Sequence, residues 1–225
     1  KLLSVDQNIY ELSILPSTIT QLQLSSYKFN WTTFSNINQL KSKMDELRFL
    51  TENSRDMNIE IMLISEIGDW VIYNSSFYSD KAGAMKDKVE FAEATLNNQA
   101  ASTSLIGSKI AYNDDNIFLV RGVYTADGKH YGTFLVSIPK KDLFSRMQEL
   151  GREENFIVIN SHGNPVINFH PQADALPVQE FLNIYKNEID TKDNFLCKIS
   201  NKRYSVNATK SKYADWKYVK AAVYS

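Results

Sequence analysis

Cysteine, excess charge and long apolar runs are all scarce in this chain of 225 residues. Its single cysteine, Cys197, excludes an intrachain disulfide and a cysteine-based metal site, and its apolar neighbours predict a small buried side chain. The 25 basic side chains nearly cancel the 26 acidic ones and are not concentrated in any stretch, which disfavours nucleic-acid binding. The sequence contains no run of about 18 apolar residues, so it predicts no membrane-spanning helix.

The rest of the composition is that of a globular protein. Hydrophobic residues make up 43% of the chain and aromatic residues 12%, enough to bury a core in one domain or in two. The chain begins at Lys1, without a methionine and already in a helical pattern, and it ends at Ser225 beside a strand pattern. We therefore expect a fragment of a longer protein.

Apolar residues at three- and four-residue spacing predict a long helix at the start of the chain, with a kink near Leu15 caused by Pro16. The spacing is also that of a coiled-coil seam, which predicts a partner helix within the fold or in a second chain. The seam consists of Leu2, Val5, Ile9 and Leu12. A second helix, capped by Ser35 or Asn36, completes an N-terminal helical stalk and connector over residues 1–57.

After residue 57 the same order of elements, a hairpin, a helix and three strands, occurs twice. The turn of the first hairpin is Gly68-Asp69, and that of the second is His162-Gly163. The two copies occupy residues 58–138 and 151–225, and a connecting helix over residues 139–150 joins them. The economical fold for each copy is a five-stranded antiparallel sheet with helices on one side, so we predict an α+β protein.

Four stretches of the sequence carry a resemblance to a known family. They are Asp69 to Ser75 (DWVIYNS), residues 132–138 (GTFLVSI), residues 156–167 (FIVINSHGNPVI) and residues 204–219, which end in DWKYV. Together they resemble the double Cache domain, the extracytoplasmic sensor of histidine kinases, chemoreceptors and membrane-anchored transcription regulators. Within that family the chain is most similar to sensors of Firmicute kinases and membrane-anchored regulators.

The resemblance implies two tandem PAS-like modules behind the long N-terminal helix, with residues 58–138 distal to the membrane and residues 151–225 proximal to it. It implies a non-catalytic domain on the extracellular side of the cell membrane, flanked by transmembrane helices that the chain does not include. The distal module would bind a small molecule or a solute-binding protein and relay a conformational change across the membrane. The full-length receptor would be a homodimer along the N-terminal helix.

One motif of the family is missing. Amino-acid binders of the family carry an Arg-x-Trp-Tyr element in the distal module and a later aspartate for the ligand amine. Here Asp69 precedes Trp70 and Val71 follows it, so the arginine and the adjacent aromatic are absent. The resemblance therefore does not extend to amino-acid sensing.

Catalytic and metal-binding patterns do not stand out in the sequence, and we predict neither an enzyme nor a cofactor. His130, His162 and His170 are expected to be exposed turn residues rather than metal ligands. Asp114-Asp115 lacks the alternating acidic pattern of a calcium loop and predicts a solvated turn.

Arg121 places a charge inside an otherwise apolar strand pattern. A buried cation needs an anionic partner. That partner could be a ligand carboxylate or an internal acid such as Asp69 or Asp80, and the arginine could also lie exposed at a sheet edge.

Aromatic residues cluster in the first copy, and such residues line small-molecule pockets as well as cores. The candidate ligand-binding residues are Trp70, Tyr73, Phe77, Tyr78, Tyr112, Arg121 and Tyr124. If these side chains fill the core completely, the alternative is a structural or protein-interaction module of a membrane protein, without a pocket.

Overall fold

The structure, a computed structural model, describes residues 1–24, 31–55, 57–83, 85–171 and 175–224. Residues 25–30 and 56 of the predicted stalk, residue 84 of the first predicted module, and residues 172–174 and 225 of the second lie outside the described residues. The chain divides into two compact units, Lys1–Leu143 and Phe144–Ser225. Among the described residues, no helix combines the length and the apolar character needed to cross a bilayer.

Three helices open the first unit: α1 (Leu2–Ile14), α2 (Pro16–Leu24) and α3 (Trp31–Arg55). The predicted kink is a complete break, because Leu15 is extended at φ −62° and ψ 126° and α2 starts afresh at Pro16. Proline suits a first helical position, where its missing N–H would have no intrahelical partner. The predicted cap of α3 was wrong: Ser35 and Asn36 lie inside α3, because the helix begins four residues before Ser35, at Trp31.

The predicted coiled-coil seam packs within the fold. Leu2, Val5 and Ile9 are buried, Val5 completely, and α1 packs against a strand of the first sheet. The partner of the seam is therefore the sheet of the same unit. The three buried side chains are not available for the dimer along α1 that the sequence predicts, and Leu12, the fourth residue of the seam, is half-buried.

The first sheet has seven antiparallel strands in the order β3-β2-β1-β7-β6-β5-β4. They are β1 (Glu60–Ser65), β2 (Val71–Tyr73), β3 (Ser76–Tyr78), β4 (Ser102–Thr103), β5 (Lys109–Tyr112), β6 (Asn116–Tyr124) and β7 (His130–Pro139). The prediction of five strands missed β3 and β4, edge strands of three and two residues that are too short to show alternation. Helix α4 (Lys86–Asn97) follows β3, and α5 (Lys140–Leu143) follows β7.

Helices cover both faces of this sheet, not one face as predicted. Helices α1 and α2 pack against β6 and β7, and α4 packs on the same strands from the other side. Alternation of side chains assigns the faces: Arg121 of β6 contacts α1, whereas Phe118 contacts Phe91 of α4. Strand β7 is accordingly buried along nearly its whole length.

The second unit begins with α6 (Ser145–Leu150), so the predicted connecting helix is two short helices. A five-stranded antiparallel sheet follows, in the order β10-β11-β12-β8-β9. Its elements are β8 (Asn155–Ile159), β9 (Pro165–Phe169), α7 (Val178–Thr191), β10 (Asn194–Ile199), β11 (Lys202–Lys210) and β12 (Lys217–Val223). Phe181, Leu182 and Ile189 of α7 bury its apolar stripe in the core of this sheet.

The two sheets share one topology. In the first, β5-β6-β7-β1-β2 are neighbours in that order, and β10-β11-β12-β8-β9 repeat the order in the second. In both, the hairpin comes first in sequence and its first strand pairs with the last strand of the sheet. The predicted α+β fold with two antiparallel PAS-like modules is confirmed.

Candidate ligand-binding site

A cavity of about 250 Å³ lies between α4 and the sheet face that α4 covers. Strands β1, β2, β6 and β7 supply its sheet side, because residues of one parity on each strand face α4. The lining residues are Glu60, Met62, Tyr73, Asp87, Lys88, Phe91, Asn113, Phe118, Leu135 and Ser137.

The floor of the cavity is apolar and continuous with the core. Met62 and Leu135 are 1% and 5% exposed and belong to the buried cluster beneath α4. Phe118 of β6 and Phe91 of α4 form an edge-to-face pair with ring centroids 4.8 Å apart. Such pairs are held in place by packing as well as by ring electrostatics. The cavity thus has a rigid aromatic wall.

Charged groups cluster on one side of the cavity. The Lys88 ammonium lies 3.5 Å from a carboxylate oxygen of Glu60 and 4.7 Å from the centroid of the Tyr73 ring. Burial, followed by a hydrogen bond to the Glu60 side chain, raises the pKa of Tyr73 to about 12. Tyr73 therefore stays protonated at physiological pH.

The remaining polar groups are on α4, on β7 and in the turn after β5. Asp87 lies in the first turn of α4, where a carboxylate is favoured by the helix dipole. The Asn113 side-chain oxygen accepts hydrogen bonds from the backbone N–H groups of Asp115 and Asn116, at 3.1 and 2.8 Å. Ser137 is 9% exposed, and its hydroxyl has no hydrogen-bond partner in the described part of the chain.

Sequence comparison with the models of known protein families gives no match, and none of the curated proteins matches in sequence either. Comparison of the structure does give matches. The sensory domain of the Campylobacter jejuni chemoreceptor Tlp3 superposes with a TM-score of 0.55 at 18% identity, over 97% of this chain and 83% of that domain. Its ligand-binding domain in complex with L-valine gives 0.54 at 16% identity, over 97% and 82%.

The extracellular domain of the histidine kinase vpHK1S-Z8 gives a TM-score of 0.52 at 11% identity, over 94% of this chain and 84% of that one. The chain has the fold of these sensory domains. Its two antiparallel sheets are the two PAS-like modules that the sequence predicts.

The structure distributes the candidate residues over several environments. Tyr73 lines the cavity, and Tyr78 packs against the neighbouring buried cluster. Trp70 is 5% exposed and packs on Phe77, with ring centroids 6.0 Å apart. Tyr112 lies under the Lys140 ammonium, 5.2 Å from its ring centroid. Of the seven candidates, all within the described residues, Tyr73 is the one that lines the cavity.

Tyr124 is 48% exposed and stacks on His130, with ring centroids 4.7 Å apart. His130 itself is half-buried in β7 rather than exposed in a turn, and its Nδ1 lies 3.7 Å from Glu66. His162 and His170 are exposed, as predicted. Among the described residues no three His, Cys, Asp or Glu side chains come together as a metal site.

Arg121 lies on the opposite face of β6 from the cavity, beneath α1. Its Nε donates to Ser13 Oγ at 3.1 Å, and its Nη1 donates to Ile106 O and Ser108 Oγ, both at 3.0 Å. The same Nη1 lies 3.9 Å from the carboxylate of Asp6, which is fully buried. Ser108 Oγ also donates to Asp6 and bridges the pair.

The structure therefore supplies the anion for Arg121 internally, and that anion is neither Asp69 nor Asp80. Asp6 is more than one hundred residues away in sequence, so only the packing of α1 on β6 brings the pair together. The signal in the sequence was an acid beside the buried seam of α1, next to Val5.

Sequence reasoning missed most of the cavity. Glu60, Phe118 and Ser137 are in register with one another across β1, β7 and β6. Each alternates with core residues along its strand, so the pattern of one strand does not separate cavity residues from core residues. The strand register and the position of α4 were needed to find them.

Proposed function

We propose that this chain is the extracellular ligand-sensing domain of a transmembrane signal-transduction receptor, a histidine kinase or a similar protein, and that it has no catalytic activity of its own. The observation that carries the proposal is the cavity beneath α4, with its buried apolar floor and its few convergent polar groups. That combination is typical of small-molecule sites. The fold shared with chemoreceptor and kinase sensory domains supports it.

The cavity suits a small metabolite. Its volume of about 250 Å³ is below the range of roughly 300–1,000 Å³ that is usual for ligand sites. The Tlp3 domain of the same fold was solved with L-valine, a ligand of comparable scale. Binding residues in this chain would be Tyr73, Phe91, Phe118 and Ser137, with Arg121 acting in the structure of the domain instead.

The second unit would relay the change to the membrane. In this proposal residues 1–57 are the stalk and connector, residues 58–138 the distal module, residues 139–150 the connector between modules and residues 151–225 the proximal module. A homodimer of the full-length receptor would use residues other than the seam of Leu2, Val5 and Ile9, since that seam is buried within its own unit. A solute-binding protein remains an alternative partner for the distal module.

Calorimetry of the 225-residue chain against a metabolite library tests the proposal. We expect saturable heat from at least one compound. Ser137→Met, which fills the cavity with a flexible side chain, should abolish that heat. Ser205→Met is the matched control, because Ser205 is an exposed strand serine in the other unit.

Two results would contradict the proposal. The absence of a heat signal from every compound in the library would favour an interaction module without a ligand. Binding that survives Ser137→Met while thermal unfolding is unchanged would show that the ligand uses a different site.

A further inference from the structure

We infer that the cavity beneath α4 selects a small organic monocation, an ammonium carried on an apolar body, over neutral and anionic molecules of the same shape. The inference rests on the proposed function and adds the ligand class. Three charged side chains line the cavity: the carboxylates of Glu60 and Asp87 and the ammonium of Lys88. The lining therefore carries one more negative charge than positive charge.

The positive charge is already engaged. The Lys88 ammonium is 3.5 Å from Glu60 and lies over the Tyr73 ring. A ligand carboxylate would have to compete with Glu60 for that ammonium and would also approach Asp87. Like charges in a partly dehydrated cleft repel one another, so an anion is disfavoured.

The second carboxylate is uncompensated. Asp87 has no ion-pair or side-chain hydrogen-bond partner within the described ranges of the chain. Asp87 and Glu60 are both exposed and stand at the mouth, whereas Met62 and Leu135 form the buried floor. The gradient from an acidic mouth to an apolar floor fits a ligand whose ammonium stays at the mouth.

Ser137 provides an independent indication that a ligand enters. The residue lines the cavity and is 9% exposed, and its hydroxyl has no protein partner in the described structure. Buried hydroxyls in folded proteins are nearly always hydrogen-bonded. A ligand that carries a neutral polar group at the end opposite its ammonium would satisfy it, while the Phe91–Phe118 pair packs against the ligand body.

Three probes of matched shape test the inference: tyramine, 4-(2-hydroxyethyl)phenol and 4-hydroxyphenylacetate. Each carries a phenolic hydroxyl at the end opposite the group that is varied. We expect the amine to bind most tightly and 4-hydroxyphenylacetate least. The dissociation constants of the amine and the alcohol should differ about fivefold, because solvent-exposed charge pairs contribute only modestly. Raising the salt concentration should reduce the difference in affinity between the amine and the alcohol. Affinities would be measured by calorimetry or by shifts of NMR resonances on the whole chain.

Two substitutions should change the affinity for the amine in opposite directions. Asp87→Asn should weaken the amine about fivefold and leave the alcohol unchanged. Lys88→Met keeps the aliphatic packing on Tyr73 but frees Glu60, so the amine should bind more tightly. Glu90→Gln removes a carboxylate from the same helix away from the cavity lining and serves as the control for net charge.

The inference is overturned if 4-hydroxyphenylacetate binds as tightly as the amine, if Asp87→Asn leaves the amine affinity unchanged, or if none of the three probes binds. The proposed function fails on a different result, the absence of any ligand in the metabolite library. A neutral or anionic metabolite whose binding is lost in Ser137→Met would overturn the cation preference and keep the sensor role.

Discussion

Replacement of Arg121 separates a structural role from a ligand role more sharply than any other substitution in the chain. Arg121→Met keeps the aliphatic stem but removes the guanidinium. The change deletes the hydrogen bonds to Ser13, Ile106 and Ser108 and takes the cation away from Asp6, whose side chain is 0% exposed. It also removes the stacking over Tyr10, whose ring centroid is 4.6 Å from the guanidinium carbon.

Removing one partner of a buried ion pair costs about 3–5 kcal/mol. The low end applies here for two reasons. The Arg121 side chain is 13% exposed and its Nη1 is 3.9 Å from the carboxylate, and Asp6 keeps the hydrogen bond from Ser108. We therefore expect a loss of about 3 kcal/mol in the free energy of unfolding, or about 6–12 °C in Tm for a chain of this size.

Thermal and urea unfolding followed by circular dichroism would measure the loss. Arg152→Met, at an exposed arginine of the second unit, should change stability by less than about 0.5 kcal/mol. In a double-mutant cycle with Asp6→Asn, the two substitutions should cost less together than the sum of their separate costs, by about 1–3 kcal/mol.

The affinity for tyramine should be the same in Arg121→Met and in the unmodified chain, at a temperature where both are folded. The structural account of Arg121 would be refuted by the reverse pattern, an unchanged Tm with weakened binding. That pattern would restore the arginine to the ligand site that the sequence suggested.

Three further substitutions and titrations follow from the structure. Burial raises the pKa of the Cys197 thiol to about 11, so its reaction with a thiol reagent at pH 8 should be slow in the folded chain and fast in urea. Rapid labelling of the folded protein would contradict this prediction. The folded-state pKa of Tyr73, about 12, is above its ordinary value of 10.0, so its contribution to stability is complete below pH 10 and is lost as pH rises towards 12. Tyr73→Phe should therefore lose less stability than the unmodified chain across that interval, and equal losses would show that another group titrates. Phe118→Ala should lower the free energy of unfolding by about 2 kcal/mol, less than loss of a fully buried phenylalanine costs, because the Phe118 ring is half-buried and paired with Phe91. Phe49→Ala, at an exposed phenylalanine of α3, is the control. Equal effects of the two substitutions would argue against the aromatic wall.

The repeated order of elements could be predicted because period-two and period-three-to-four patterns are local properties of the sequence. Strands β5 (Lys109–Tyr112) and β9 (Pro165–Phe169) are two of the strands in the predicted order of elements. Such strands carry several alternating residues between turn residues, which is what makes a strand visible. Strand β4, with two residues, contains no alternation and could not be found in this way.

The contacts that define the cavity and the arginine network are not local. Ser137 pairs with Glu60 and Phe118 only after β7 has taken its place between β1 and β6. Asp6 meets Arg121 only after α1 has packed on the sheet. A side chain's own neighbours in sequence do not encode such long-range register, so Arg121 could be identified as a cation in need of an anion but its partner could not.

Strand β6 links the cavity to the arginine network. Phe118 and Arg121 are three residues apart, so they project from opposite faces of the strand. Phe118 forms part of the cavity wall, and Arg121 is hydrogen-bonded or ion-paired to Ser13 and Asp6 on α1. Any displacement of β6 that accompanies filling of the cavity must therefore be accommodated at the buried contacts of α1, because close-packed interiors do not absorb such shifts locally. The guanidinium contacts Ser13 and Asp6, seven residues apart on α1, and its directional hydrogen bonds constrain the placement of α1 on the sheet more than apolar packing at that position would.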